Sequence, residues 1–143
     1  MPSQPESISQ RRIRIVVVED NKADIFLVEE AIAVHGIDAD VEFILDGEEA
    51  IKRIRKFREQ PSASYPAMFV LDLNLPKRSG NEVLAFIREQ FDSIRIPVLI
   101  MTSSDLLKDR EEAKRLDADG YFRKPSGYDE FLEIGPMIKG MLR

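Results

Sequence analysis

The sequence specifies an α/β domain, a doubly wound five-stranded parallel sheet with helices on both faces. Three short apolar runs, Ile15–Val18, Met68–Leu71 and Val98–Met101, are continuous rather than alternating. Strands look like this when both of their faces are buried. Segments of helical period lie between and after these runs, so strand and helix alternate along the chain. Repeated β-α units imply a parallel sheet with right-handed crossovers.

Each element has its own signal. Ile15–Val18 opens the sheet. Ala23, Phe26, Leu27, Ala31 and Val34 form the apolar stripe of a first helix that stops at Gly36. Val41–Leu45 is a weaker second strand. Ala50, Ile51, Ile54 and Phe57 mark a second helix, and residues 58–66 a polar loop. Met68–Leu71 is the third strand. Val83, Leu84, Ile87 and Phe91 face one way on a third helix. Val98–Met101 is the fourth strand, followed by a charge-rich helix over Asp105–Leu116, with Ser104 or Asp105 as its cap. Gly120–Arg123 is a short fifth strand. Phe131, Ile134, Ile138 and Met141 complete a fifth helix, which Gly135-Pro136 is placed to bend or break.

Composition narrows the chemistry. The chain has 143 residues, 43% hydrophobic and 33% charged, which suits one globular domain. It has no cysteine, so disulfides, thiol catalysis and cysteine-bound metals are excluded. The one histidine, His35, cannot build a His-rich metal site, and its place at a helix end suggests only a dipole partner. A net charge of −5 argues against direct nucleic-acid binding. No run is long and apolar enough to span a membrane. The opening MPSQPESISQRR is polar and carries no secretory signal, so a flexible tail over residues 1–11, a domain over 12–143 and a cytoplasmic location are expected. Only one helix's worth of chain follows Lys124, so no attached output domain is expected.

In a doubly wound sheet, ligands bind beyond the carboxyl ends of the strands. Those ends carry Glu19-Asp20, Asp72, Thr102-Ser103 and Lys124. Three carboxylates brought together repel one another unless a cation joins them. An oxygen-only set selects Mg²⁺, or Mn²⁺, over zinc. Metal, ammonium and hydroxyl around one carboxylate are the parts that stabilise phosphoryl transfer onto it. No GxxxxGK[ST] or GxGxxG loop is present to bind a nucleotide, so the phosphoryl donor must be another molecule.

Each residue also has a plainer reading. Glu19, Asp20 and Asn21 could cap the first helix, Thr102 to Asp105 the fourth, and Lys124 could be a surface lysine. Tyr121 could be an ordinary core aromatic, and Lys52, Arg53, Arg55, Lys56 and Arg58 a solvated face. Asp72 resists this treatment, because an unpaired carboxylate within the largely apolar Phe69–Leu75 would be costly. The coincidence of all these residues at strand ends favours a site.

VVVEDN at 16–21, LDLNLP at 71–76 with Gly80, MTSSD at 101–105 and YFRKP at 121–125 together resemble the response-regulator receiver domain of two-component signalling. The resemblance runs from Arg12 to the end. It implies a flavodoxin-like strand order 2-1-3-4-5 and a role for each matching residue. Asp72 would be the phosphoacceptor, taking its phosphoryl group from a phosphohistidine on a sensor histidine kinase. Asp20 and Asp72 would ligate Mg²⁺ with the backbone carbonyl of Asn74, and Glu19 would act through a water. Lys124 and Thr102 would contact the phosphoryl group, with Pro125 joined by a cis peptide. Thr102 and Tyr121 would form the switch, read out on helix four, strand five and helix five. Weak autophosphorylation from a donor and autodephosphorylation would accompany this signalling role. Glu19 stands where many members carry Asp, Ser103 where a small residue such as Ala is common, and Arg78-Ser79 where a polar or acidic residue is frequent. None of these removes a required group.

EDNKADIFLVEEAI at 19–32, the loop at 58–66 and LDLNLPKRSG at 71–80 are similar to a narrower group, stand-alone regulators associated with phytochrome-type kinases. That group implies a homodimer through helix four to helix five. Three rival readings remain. One is a pseudo-receiver that binds partners without phosphate. Another is a metal-dependent phosphatase, which would usually carry an acid at Asn74. The last is a flavodoxin-like cofactor carrier, which would need a phosphate loop after strand one.

Overall fold

The computed structural model describes residues 13–142. The tail expected at residues 1–11 lies outside the described residues. Strands β1 (Arg14–Val18), β2 (Asp40–Ile44), β3 (Met68–Leu71), β4 (Val98–Thr102) and β5 (Gly120–Arg123) form one parallel sheet in the order β2-β1-β3-β4-β5. Its helices are α1 (Lys22–Val34), α2 (Gly47–Arg58), α3 (Gly80–Gln90), α4 (Leu107–Arg115), α5 (Tyr128–Phe131) and α6 (Ile134–Met141). The expected order is confirmed. Register aligns the strand ends: Val18 pairs with Ile44 on one side and Leu71 on the other, and Thr102 pairs with Arg123.

Alternation along the buried strands builds two cores, because successive side chains point to opposite faces. Val16, Val18, Phe69, Leu71, Val98 and Ile100 pack with Ile54, Phe57, Val83, Leu84 and Ile87 from α2 and α3. Ile15, Val17, Met68, Val70, Leu99 and Met101 pack with Val28, Ala31, Phe131, Ile134 and Ile138 from α1, α5 and α6.

Several local expectations change. The stripe expected on α1 is rotated: Phe26 and Val34 are 55% and 61% exposed, while Val28, Ala31 and Ile32 face the sheet. β2 starts and ends one residue earlier than expected, leaving Leu45 exposed. The N-cap of α4 is Leu106, without a side-chain cap bond, although Ser104 Oγ accepts a bond from the Leu106 N–H at 3.3 Å. The polar loop at 58–66 holds a short 3-10 turn, Ser62–Ser64.

The last helical segment breaks into α5 and α6, as Gly135-Pro136 suggested. Pro136 has no N–H to give to the carbonyl four residues back, Leu132. That carbonyl is met instead by the Gly135 N–H at 3.0 Å and by His35 Nε2 at 3.1 Å. A Cβ on Gly135 would sit 2.1 Å from the His35 ring, so only glycine lets the imidazole approach. His35 therefore ties α1 to the break, which goes beyond the dipole role expected of it.

Candidate phosphoryl-transfer site

The aligned strand ends carry the expected residues to one crevice. Glu19 follows β1, is fully buried, and accepts a bond from the Asn21 N–H at 3.0 Å through Oε2. Asn21 in turn caps α1, its side chain accepting from the Asp24 N–H at 3.0 Å. Asp20 is exposed at the rim. Asp72, 5% exposed, follows β3, and its Oδ1 accepts from the Asn74 N–H at 3.0 Å. Glu19, Asp20 and Asp72 each present a carboxylate oxygen within 4.8 Å of the others.

Lys124 is carried in by the β4–β5 ladder, which its own N–H extends by a 2.8 Å bond to the Thr102 carbonyl. The Lys124–Pro125 peptide is trans, since no described residue has a cis peptide, and this corrects the cis expectation. Trans is the ordinary preference, by about 0.5–1 kcal/mol even before proline. Lys124 Nζ donates to Asp72 Oδ2 at 2.8 Å and to Asp24 Oδ2 at 2.7 Å, and lies 2.8 Å from Glu19 Oε1. The Glu19 contact is an ion pair without hydrogen-bond alignment, so this buried oxygen lacks a hydrogen bond.

One ammonium thus contacts three carboxylates, and the charge balance shows in the titration of the group. Burial is the largest influence on Glu19 and pushes its carboxyl up to about 7, against the pull of Lys124 and the Asn21 N–H and with a further push from Asp72. Burial also works against the Lys124 ammonium, but its contacts with Asp24, Asp72 and Glu19 outweigh that and hold it charged above the usual lysine range.

The remaining expected residues surround this core. Thr102 is fully buried at the end of β4, its Oγ1 accepting from the Ser104 N–H at 3.3 Å. Tyr121 is not among the carboxylates. It lies half-buried beneath the Arg110 guanidinium, 4.3 Å from its ring, and its hydroxyl donates to the Ser104 carbonyl at 3.1 Å. That bond links Tyr121 to the loop that follows Thr102. Asp24, in contact with Lys124, is the residue of this cluster that sequence reasoning missed.

α3 starts against the site. Its N-cap Ser79 and Glu82 form a reciprocal capping box, and the Gly80 N–H donates to the Leu73 carbonyl at 3.0 Å. A Cβ on Gly80 would lie 2.1 Å from the Asp72 carbonyl oxygen and 2.7 Å from Leu73 Cα. Gly80→Ala is therefore expected to push α3 away from Asp72 and destabilise the fold by about 2 kcal/mol. Urea unfolding checks this, and an unchanged midpoint would refute the close approach.

Residues 15–134 match the family model for the response regulator receiver domain. The chain belongs to this family. The receiver domain is 34% identical over 127 residues to the response regulator Rcp1 of Synechocystis sp., covering 89% of this chain and 84% of Rcp1. It superposes on the crystal structure of the phosphorylated cyanobacterial phytochrome response regulator RcpA with a TM-score of 0.80, at 36% identity over 92% of this chain and 94% of RcpA. It superposes on the Mn²⁺-bound form of Rcp1 with a TM-score of 0.77, at 32% identity over 90% and 92% of the two chains. These similarities make it a signalling domain of two-component type. Among the described residues, no helix is long and apolar enough to cross a membrane.

Proposed function

We propose that this receiver accepts a phosphoryl group on Asp72 from a sensor histidine kinase and signals through a change of surface. The observation that carries this is Asp72 itself. It sits nearly buried at the end of β3, joined to the Lys124 ammonium on one side and grouped with Glu19 and Asp20 on the other. A carboxylate oxygen of Asp72 attacks phosphorus, the P–N bond of the phosphohistidine breaks, and the imidazole leaves. Lys124 balances the incoming negative charge, and the Thr102 hydroxyl donates to a phosphoryl oxygen. Tyr121, tied to Ser104, responds when that loop moves.

The buried Glu19 oxygen without a hydrogen bond and the all-oxygen donor set fit a hard divalent cation. Asp20 and Asp72 would hold Mg²⁺ or Mn²⁺ with the Asn74 carbonyl, and Glu19 would act through a water. The ion supplies positive charge to the phosphoryl oxygens. The full set of groups speaks against a pseudo-receiver, and Asn74 in place of an acid against a phosphatase.

Incubation with Mg²⁺ and acetyl phosphate tests the assignment. An acid-stable, base-labile mass gain is expected in the wild type and not in Asp72→Asn. An adduct that survives this substitution would place the acceptor elsewhere. A metal-dependent adduct that is lost slowly would also reveal the weak autophosphorylation and autodephosphorylation.

The likeness to RcpA, a phytochrome response regulator, supports a phytochrome-like partner kinase. The net charge of −5 supports no direct contact with nucleic acid, and the polar opening of the sequence supports cytoplasmic operation. The homodimer proposed through α4, β5 and the helices after it rests on the sequence resemblance and on an exposed apolar edge. Leu106 and Leu107, 57% and 70% exposed at the start of α4, give that surface an apolar edge. Light scattering should report a dimeric mass in at least one phosphorylation state. A monomer in both would sink this arrangement.

A further inference from the structure

Asp24 occupies the first turn of α1, and its carboxylate makes the shortest of the three contacts to Lys124 Nζ, at 2.7 Å. An ammonium has three N–H donors. Two of them go to Asp24 and Asp72 as hydrogen bonds, and the ammonium also lies 2.8 Å from Glu19 Oε1 as an unaligned ion pair. A phosphoryl group arriving on Asp72 replaces the carboxylate that Lys124 bonds there, and to follow the added negative charge the ammonium works against its attraction to Asp24 and Glu19. Releasing Glu19, whose side chain is fully buried, would strand a charge away from water. Releasing Asp24 costs less, because its side chain is 21% exposed and the N-terminal turn of a helix favours a negative charge.

We propose that Asp24 is a positioning residue that competes with the phosphoryl group for Lys124, holding the lysine in the unphosphorylated protein and opposing its transfer to the phosphorylated one. This rests on Asp72 being the phosphoacceptor. Asp24 then stabilises the resting arrangement, and the receiver gives up that ion pair each time it is phosphorylated. The residue sets how readily the site is occupied without touching the reacting phosphorus.

The test uses the full chain at saturating Mg²⁺ with fluoroberyllate, which mimics a phosphoryl group on an aspartate, and with acetyl phosphate. In the covalent assay an Asp72 oxygen bonds to phosphorus, the bond from phosphorus to the acetyl oxygen breaks, and acetate leaves. Asp24→Asn keeps an acceptor oxygen and removes the charge, while Asp24→Ala removes both. Charge competition predicts that both variants bind fluoroberyllate roughly 3- to 10-fold tighter by calorimetry. The gain should shrink at high salt. Wild-type-like affinity in Asp24→Asn with weaker binding in Asp24→Ala would overturn the proposal in favour of simple orientation of Lys124. Unchanged affinity in both, with only a lowered melting temperature, would overturn it in favour of a structural role in α1. If the wild type neither binds fluoroberyllate nor gains an adduct, the phosphoacceptor assignment fails first and the role of Asp24 falls with it.

Discussion

Lys124→Met is expected to lower the stability of the metal-free protein by about 2–4 kcal/mol near pH 8. Methionine keeps much of the lysine stem and discards the charge. The variant leaves Asp24, Asp72 and Glu19 without the cation that all three contact. Breaking a buried pair commonly costs about 3–5 kcal/mol, because the remaining charge is left alone. The lower figure applies here, since Glu19 can escape by taking up a proton and Asp20 and Asp24 reach water. The loss should therefore shrink as pH falls. Mg²⁺ should restore much of it, and should bind the variant more tightly than the wild type, because the ammonium no longer repels the ion. Urea unfolding with and without chelator, together with Mg²⁺ titration, checks both halves. A variant as stable as the wild type in chelator would show that Lys124 does not neutralise this cluster.

The sheet was legible because its central strands are short, apolar and buried on both faces. Ile15–Val18 and Met68–Leu71 end where those faces end, which placed Glu19 and Asp72 at the crevice directly. Lys124 was legible for the same reason, one residue beyond β5. α1 was harder to read. Ile25, Phe26, Leu27, Val28, Ala31, Ile32 and Val34 wrap apolar surface around much of the helix, so its period supports more than one inward face. Choosing Phe26 and Val34 hid the true line through Asp24, Val28, Ala31 and His35, spaced by four, three and four residues. That line points the first-turn carboxylate at Lys124 and the last-turn imidazole at Leu132. One misread face thus concealed both the third acid on the lysine and the contact that closes the helix break. Tyr121 was legible as a residue, whereas its bond to the Ser104 carbonyl depends on how the β4–α4 loop folds back.

Without metal, the receiver should lose about 3 kcal/mol of stability between about pH 4.5 and 7 and then level off. Glu19 governs this window. Its carboxyl titrates near its ordinary 4.5 in the unfolded chain and at about 7 in the folded one. Between these values the folded state binds more protons than the unfolded state, so stability falls as pH rises. Glu42 opposes the trend, because Arg53 and Arg14 hold its carboxyl below the usual range against burial, but that contribution is lost only at pH below the Glu19 window. Mg²⁺ should reverse the slope, since binding beside Glu19 requires its carboxylate and releases the proton. At about 100 times its dissociation constant, the ion adds about 2.7 kcal/mol. That gain should be largest above pH 7 and small near pH 5. Urea midpoints across this range with chelator or Mg²⁺, and proton release on Mg²⁺ binding in buffers of differing ionisation enthalpy, measure the two effects separately. Equal metal affinity at pH 5 and 8 would show that Glu19 is already ionised in the metal-free fold, and that Lys124 neutralises it more fully than its unaligned contact suggests.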